Sequence, residues 1–464
     1  MYGILLGDPR EMTAPATLEF YQAQRQLLAG SDAPSAPGVM LLQALRPAGV
    51  FLGNLPFLPL FHAAMFLEDL CFLLGVWLLS SRYYASPRIA FFVTVAAAGS
   101  CLWTDQIRAN FLAFHIAPLV IFLVHEFLDR GGRQNLLFAS LLMLLQGTMA
   151  GFLAVVLYFL SVAALLPGEL ASRIAVLRRN RAGVLWLLAF AACSLWAAIR
   201  SPAVAPSAPR WILVDLLLGV SLSPSVTAFC GFFTLGFAGL AVARGERRRT
   251  LLLLAVALGS FFVLSRAGDA VPFVRLFLAF LSGAGLDRAL REPRTTAVPA
   301  AGLMVLAAIL AFLTFFCLAA RGVLEPVLWP LVGAPSVRVL QSHRLETPLL
   351  SELLGAGAFG AGTAGATLYL LSAGFRARPL AVALILLLHP LDVFGWKSRM
   401  VWLRTTPAAT SASLEQIGRH ALSGSSPPTT AASAVMGAIS CVGMVLLVRS
   451  TLQRFGPGQR GGQA

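Results

Sequence analysis

This sequence has few charged residues, and their scarcity argues against a soluble protein. Only 12% of its 464 residues are Asp, Glu, Lys or Arg, whereas a soluble domain carries about 25%. Hydrophobic residues make up 58%, and the mean hydropathy is +0.80. We therefore expect an integral membrane protein.

Motifs of several common enzyme classes are also missing from the sequence. It contains no GxxxxGK[ST] loop, so a P-loop ATPase is not expected, and it contains no HExxH, CxxCH or GxSxG motif. None of its six cysteines forms a CxxC pair, and all lie in or beside apolar stretches. We therefore expect the cysteines to be small core residues rather than metal ligands or disulfides.

Lysine is almost absent, and arginine carries nearly all of the positive charge. Lys397 is the single lysine among 35 Lys and Arg residues, and the formal net charge is +15. The basic residues form neither a tail nor one helical face, so we expect no nucleic-acid partner. They separate apolar segments, which favours anionic lipid headgroups as their counter-charge. Many Ala, Gly and Pro residues beside this arginine usage indicate a high-GC bacterial genome.

The apolar segments predict an all-α protein, a polytopic transmembrane helical bundle with about 12–13 membrane segments. A span takes about 20 residues, so the stretch at 136–166 is too long for one, and Gln146 and Gly147 predict two short helices there. The stretch at 211–243 is broken by Ser221, Ser223 and Pro224. The segments lie at 57–80, 89–104, 111–128, 136–166, 183–199, 211–243, 250–265, 271–287, 299–319, 349–372, 379–391 and 433–448.

Arginine clusters on alternate loops predict the orientation of this bundle. Loops of this kind are cytoplasmic under the positive-inside rule, which places 82–88, 129–135, 167–182, 244–249, 288–298, 373–378 and the tail after 448 inside. The domain prediction is an outer amino-terminal loop with a short helix at 1–56, a transmembrane core at 57–391, an outer loop at 392–432, and a last helix with a basic cytoplasmic tail at 433–464. Because 1–56 falls outside, either a first transmembrane helix precedes Met1 or the amino end crosses the membrane by itself, and we expect the first of these.

Four stretches resemble the YfhO-like bacterial membrane proteins, within the GT-C class of polytopic glycosyltransferases. The most similar is FVRLF at 273–277 followed by GAGLDR at 283–288. The others are Gly7-Asp8 with the helical stretch after it, the hairpin over 80–128, and Gln146-Gly147 with Tyr158. The resemblance implies transfer of a sugar from a polyprenyl-phosphate donor to an envelope acceptor, at the outer face of the bacterial inner membrane.

The resemblance also implies which acidic residues carry the chemistry. Asp8 would be the general base or a metal ligand, and Asp105 a second ligand of a divalent metal such as Mg²⁺ or Mn²⁺. A carboxylate within reach of the acceptor hydroxyl can take its proton during attack on the sugar. Arg108 and Arg275 would contact the lipid phosphate, since a guanidinium binds phosphate through two parallel hydrogen bonds. The alternative for Asp105 is a helix-end pair with Arg108.

Two other hypotheses come from features that the resemblance does not explain. The missing first helix and the short outer loop at 392–432 favour a non-catalytic accessory subunit of a membrane protein complex. Glu68 and Asp69 lie within an apolar segment, and His62 shares a helical face with Asp69. Ionisable groups inside a membrane usually face a cavity or a partner, so these three residues are also candidates for substrate binding or for the coupling groups of a proton-coupled transporter.

The glycine-rich sequence GAGAFGAGTAG at 355–365 offers two interpretations. Its glycines superficially match a dinucleotide-binding loop, but no strand precedes them and they lie in an apolar helical segment. Small residues at such spacing let two helices approach closely. We therefore predict helix packing here. His389, isolated on another apolar segment, is predicted to be a core or interface histidine.

Overall fold

The computed structural model describes residues 57–84, 86–98, 116–130, 132–146, parts of 175–185, 230–244, 270–320, 350–374 and 377–394. All regular structure within these residues is helical, which confirms the all-α prediction for them. The helices are Phe57–Tyr83 (α1), Pro87–Ala98 (α2), Ala117–Arg130 (α3), Arg133–Gln146 (α4), Phe232–Arg244 (α5), Ala270–Arg291 (α6), Ala297–Ala319 (α7), Leu350–Ser372 (α8) and Arg378–Phe394 (α9).

The helices lie where the apolar segments predict them. Helix α4 is described from Arg133 to Gln146, and the rest of the stretch at 136–166, where a second short helix is predicted, lies outside the described residues. Helix α5 covers only the second part of the stretch at 211–243, and it begins at Phe232 after Gly231, whose φ is +100°. An apolar stretch of this length therefore contains a helix start rather than one continuous span.

Two of the described helices are long and apolar enough to cross a membrane, judged by length and composition. They are Pro293–Ala319, which joins a short 3-10 turn to α7, and Leu354–Ser372 within α8. Only 17% of the most apolar window of Pro293–Ala319 is buried. A soluble protein rarely exposes so large an apolar surface, so this helix favours a lipid environment.

Glycines bring α7 and α8 into close contact. A Cβ added at Gly365 would lie 3.0 Å from the side chain of Met304 and 3.2 Å from the backbone oxygen of Ala300. At Gly362 it would meet Ala307 at 3.6 Å. The glycine-rich sequence at 355–365 is thus a helix-packing surface, as predicted.

Helix α5 lies at the centre of the larger core. It packs against α6, α7, α8 and α9, and its rings at Phe233 and Phe237 are almost fully buried with Phe92 of α2. A second core joins α1, α3 and α4. Cys230 and Cys317 are buried, which confirms for these two the prediction of core cysteines.

Candidate functional site

Three of the predicted site residues, Asp8, Asp105 and Arg108, lie outside the described residues. The proposed base and both proposed metal ligands are therefore known here from the sequence alone. Within the described part of the chain, no group of three or more His, Cys, Asp or Glu residues could hold a metal ion.

The other four predicted residues lie on two described helices. His62, Glu68 and Asp69 are on α1, and Arg275 is on α6. Because α1 is one continuous helix over this region, the seven-residue spacing places His62 and Asp69 on the same helical face, as expected. The side chains of all four lie outside the described part.

An ion-pair cluster joins the carboxyl ends of α1 and α3. Arg82 pairs with Glu126 at 3.3 Å and also with Asp129, while Arg130 pairs with Glu126 at 3.0 Å. The Glu126 side chain is only 5% exposed. A buried carboxylate of this kind is tolerated when opposite charges and hydrogen bonds surround it. The cluster therefore fixes the relative position of two arginine-bearing loops.

A tyrosine in the α1–α2 turn contacts α6. The hydroxyl of Tyr84 donates a hydrogen bond to the backbone oxygen of Phe280. Burial raises the pKa of Tyr84 well above its usual range, and the charges of Tyr83 and Asp287 raise it further. Tyr84 therefore stays protonated and able to donate at any physiological pH.

Two more contacts extend this end of the bundle to α8 and α9. The Arg378 guanidinium donates to the backbone oxygen of Leu290 at the end of α6, and the Thr296 hydroxyl donates to the backbone oxygen of Leu368 at 2.9 Å. The arginine-bearing loops at 82–88, 129–135, 288–298 and 373–378 thus belong to one end of the helix bundle.

A buried carboxylate marks the start of α5. Oδ2 of Asp392, in the last turn of α9, accepts a hydrogen bond from the backbone N–H of Phe233 at 3.0 Å. A Cβ at Gly231 would lie 2.8 Å from the same oxygen. Glycine is therefore required twice at this position, for the close approach of Asp392 and for the left-handed backbone. Asp392 caps the first turn of α5 from a different helix.

His389 lies one helical turn before Asp392 and is completely buried. Its ring stacks on Phe92 with centroids 4.0 Å apart and meets the edge of Phe233 at 6.2 Å. Nε2 is 3.3 Å from the backbone oxygen of Phe92. Since a carbonyl only accepts, Nε2 carries the hydrogen and Nδ1 is left as an acceptor. The predicted core histidine is confirmed.

Two buried acceptors therefore stand one turn apart on α9. Among the described residues, neither His389 Nδ1 nor Asp392 Oδ1 has a hydrogen-bond partner. Arg378 begins α9 eleven residues before His389, and Arg244 ends α5 eleven residues after Phe233. Eleven residues span about 16 Å of helix, so the buried pair lies well away from the helix ends that carry these arginines. His389 Nδ1 and Asp392 Oδ1 can each accept a proton or a hydrogen bond from another donor.

Sequence reasoning did not single out Asp392. It placed residue 392 at the beginning of an outer loop, whereas α9 continues to Phe394. The available signal was an acidic residue three positions after a histidine in an apolar helix, a spacing that puts both on one face.

Comparison with known proteins gives no family for this chain. No protein-family model, no curated protein and no solved structure matches it.

Proposed function

We propose that this protein is a polytopic bacterial inner-membrane protein that acts as a GT-C-like glycosyltransferase on a polyprenyl-phosphate-linked sugar. The observation that carries the proposal is the common end of the bundle formed by the arginine-bearing loops. Under the positive-inside rule that end is cytoplasmic. The loops of Asp8 and Asp105 then fall on the outer face, where lipid-linked sugars are used.

The chemistry of this proposal needs one base and a way to offset charge. Asp8 would take the proton of the acceptor hydroxyl as the oxygen attacks the sugar and the polyprenyl phosphate departs. Arg108 and Arg275 would bind the lipid phosphate. In the alternative role of Asp8 as a metal ligand, Asp8 and Asp105 would hold a divalent metal that supplies further positive charge at the leaving group.

Transfer from a synthetic polyprenyl-phosphate sugar, measured with the purified full-length protein in nanodiscs, tests the proposal. Asp8→Asn should lower the rate about 10²–10⁴-fold, the usual contribution of a proton-transfer group. Asp105→Asn should also lower the rate, because it removes a proposed metal ligand. Asp287→Asn is the matched control, because that carboxylate pairs with Arg291 at the opposite end of the bundle. Wild-type rates in both outer-face variants would contradict the assignment.

A second candidate function, proton-coupled transport, is favoured by the buried pair His389 and Asp392. Transporters often build their sites where a helix begins inside the membrane and its backbone N–H groups become available. Helix α5 begins in this manner at Phe232, with Asp392 at its first turn. Buried ionisable groups in a membrane are usually functional.

Proteoliposomes under a pH gradient separate the two candidates. If the pair couples transport to protons, Asp392→Asn abolishes gradient-driven substrate uptake but leaves sugar transfer unchanged. Glu68→Gln and Asp69→Asn test the corresponding groups of α1 in the same vesicles. Absence of gradient-driven uptake by the wild-type protein would contradict the transporter, and uptake that persists in all three variants would contradict the assignment of its coupling groups.

A further inference from the structure

Of the arginines at 288, 291 and 294, Arg294 is the one that pairs with no carboxylate of the described residues. Arg288 pairs with Glu292 at 3.2 Å, and Arg291 pairs with Asp287 at 2.8 Å. Arg294 lies in the exposed 3-10 turn just before α7, and no carboxylate of the described residues lies within ion-pair distance of it. Its positive charge is therefore available to a ligand.

An exposed apolar stripe begins directly after Arg294. Val298, Val305 and Phe312 are 64%, 59% and 62% exposed. They are spaced seven residues apart, about two helical turns, so they lie on nearly the same face of α7. The arginine thus stands at the head of a continuous apolar surface.

The first part of this stripe, from Arg294 to Val305, matches one leaflet of a bilayer in length. The hydrocarbon core is about 30 Å thick, so the acyl chains of one leaflet reach about 15 Å. Eleven residues of helix, from Arg294 to Val305, rise about 16 Å. A phosphate at Arg294 would therefore place acyl chains beside Val298 and Val305.

We propose that Arg294 and the exposed face of α7 form a binding site for an anionic phospholipid of the cytoplasmic leaflet. The guanidinium binds the phosphate through two hydrogen bonds, and the acyl chains cover Val298 and Val305. An anionic headgroup is favoured because Arg294 pairs with no carboxylate of the described residues, and because a zwitterionic headgroup already offsets its phosphate charge with its own ammonium group. The site rests on the proposed membrane location but not on sugar transfer.

Lipid titration of the purified full-length protein, followed by native mass spectrometry, tests the site. Wild-type protein should retain phosphatidylglycerol more tightly than phosphatidylcholine. Arg294→Gln should weaken phosphatidylglycerol binding about fivefold, the equivalent of the roughly 1 kcal/mol that one arginine contributes near an anionic surface. Arg294→Lys keeps the charge without the two-pronged geometry and should give an intermediate loss.

A charge-neutral control separates a specific site from general attraction. The double variant Asp287→Asn/Arg291→Gln removes the adjacent ion pair without changing the net charge, and it should bind phosphatidylglycerol as the wild type does. Val298→Ser/Val305→Ser should weaken both lipids, because it removes the acyl contact. Inorganic phosphate at millimolar concentration should not displace the lipid.

Three results would overturn the site. They are equal binding of the two lipids by the wild type, unchanged phosphatidylglycerol binding in Arg294→Gln, and an equal loss in the double control. Displacement by inorganic phosphate alone would show an anion site without a lipid. None of these outcomes affects the transfer assay on Asp8 and Asp105, so failure of the lipid site and failure of the glycosyltransferase proposal are distinguishable.

Discussion

Replacing Gly285 by alanine is the most direct perturbation of the contact between α5 and α6. A Cβ at Gly285 would lie inside contact distance of the backbone oxygen of Phe237 and 2.7 Å from its carbonyl carbon. The obstacle is main chain rather than the end of a flexible side chain. Helices α5 and α6 would therefore have to move apart, in a region where Phe237 is fully buried.

The expected size of the effect follows from two opposing terms. Overpacking a core costs about 1–3 kcal/mol, and a backbone obstacle places this change near the upper limit. Alanine in a helix interior is more favourable than glycine by about 0.5–1 kcal/mol. We expect Gly285→Ala to lower the free energy of unfolding by about 2 kcal/mol.

Gly302→Ala provides the matched control. Gly302 also lies in a helix, α7, and a Cβ there meets nothing within 4 Å. Only the higher helix propensity of alanine remains, so the free energy of unfolding of this variant should exceed that of the wild type by about 0.5–1 kcal/mol. Equilibrium unfolding of both variants in mixed detergent micelles measures the difference. Equal stability of the two variants would refute the close packing of α5 on α6.

Two further predictions concern the end of the bundle that carries the arginines. Glu126→Gln should lower the free energy of unfolding by about 1–3 kcal/mol, because the buried Glu126 carboxylate joins two arginines. Glu292→Gln removes an exposed ion pair and should change the free energy of unfolding by less than about 1 kcal/mol. Equal losses in the same unfolding assay would contradict the buried cluster. Tyr84→Phe removes the hydrogen bond to Phe280 and should cost about 1 kcal/mol, with no dependence on pH between 6 and 9 since the raised pKa keeps the hydroxyl protonated.

The helices were largely predictable from sequence because each apolar segment is a local feature. The packing role of the glycines at 355–365 could be predicted for the same reason: residue type and spacing within one segment decide it. Local arginine density also predicts which loops share one side. Contacts such as the pair of Arg82 with Asp129, 47 residues apart, bring the ends of the described helices together at one end of the bundle.

The buried site around α5 was not predictable in the same manner. Its hydrogen bond joins Asp392 to Phe233 across 159 residues, and no pattern within either segment specifies that partner. The helix start at Phe232 depends equally on Gly231, whose need for glycine becomes visible only once Asp392 is beside it. Asp8 and Asp105, the predicted catalytic carboxylates, were assigned by resemblance to a family and lie outside the described residues, so the structure does not test them.

Isolation of the protein from its native membrane in mild detergent, followed by mass spectrometry of bound lipids and proteins, tests the proposed function most directly. The glycosyltransferase proposal predicts a co-purifying polyprenyl-phosphate sugar without a stoichiometric protein partner, and loss of transfer in Asp8→Asn. A defined stoichiometric protein complex with no lipid-linked sugar would contradict it and would assign the chain to an accessory role in that complex.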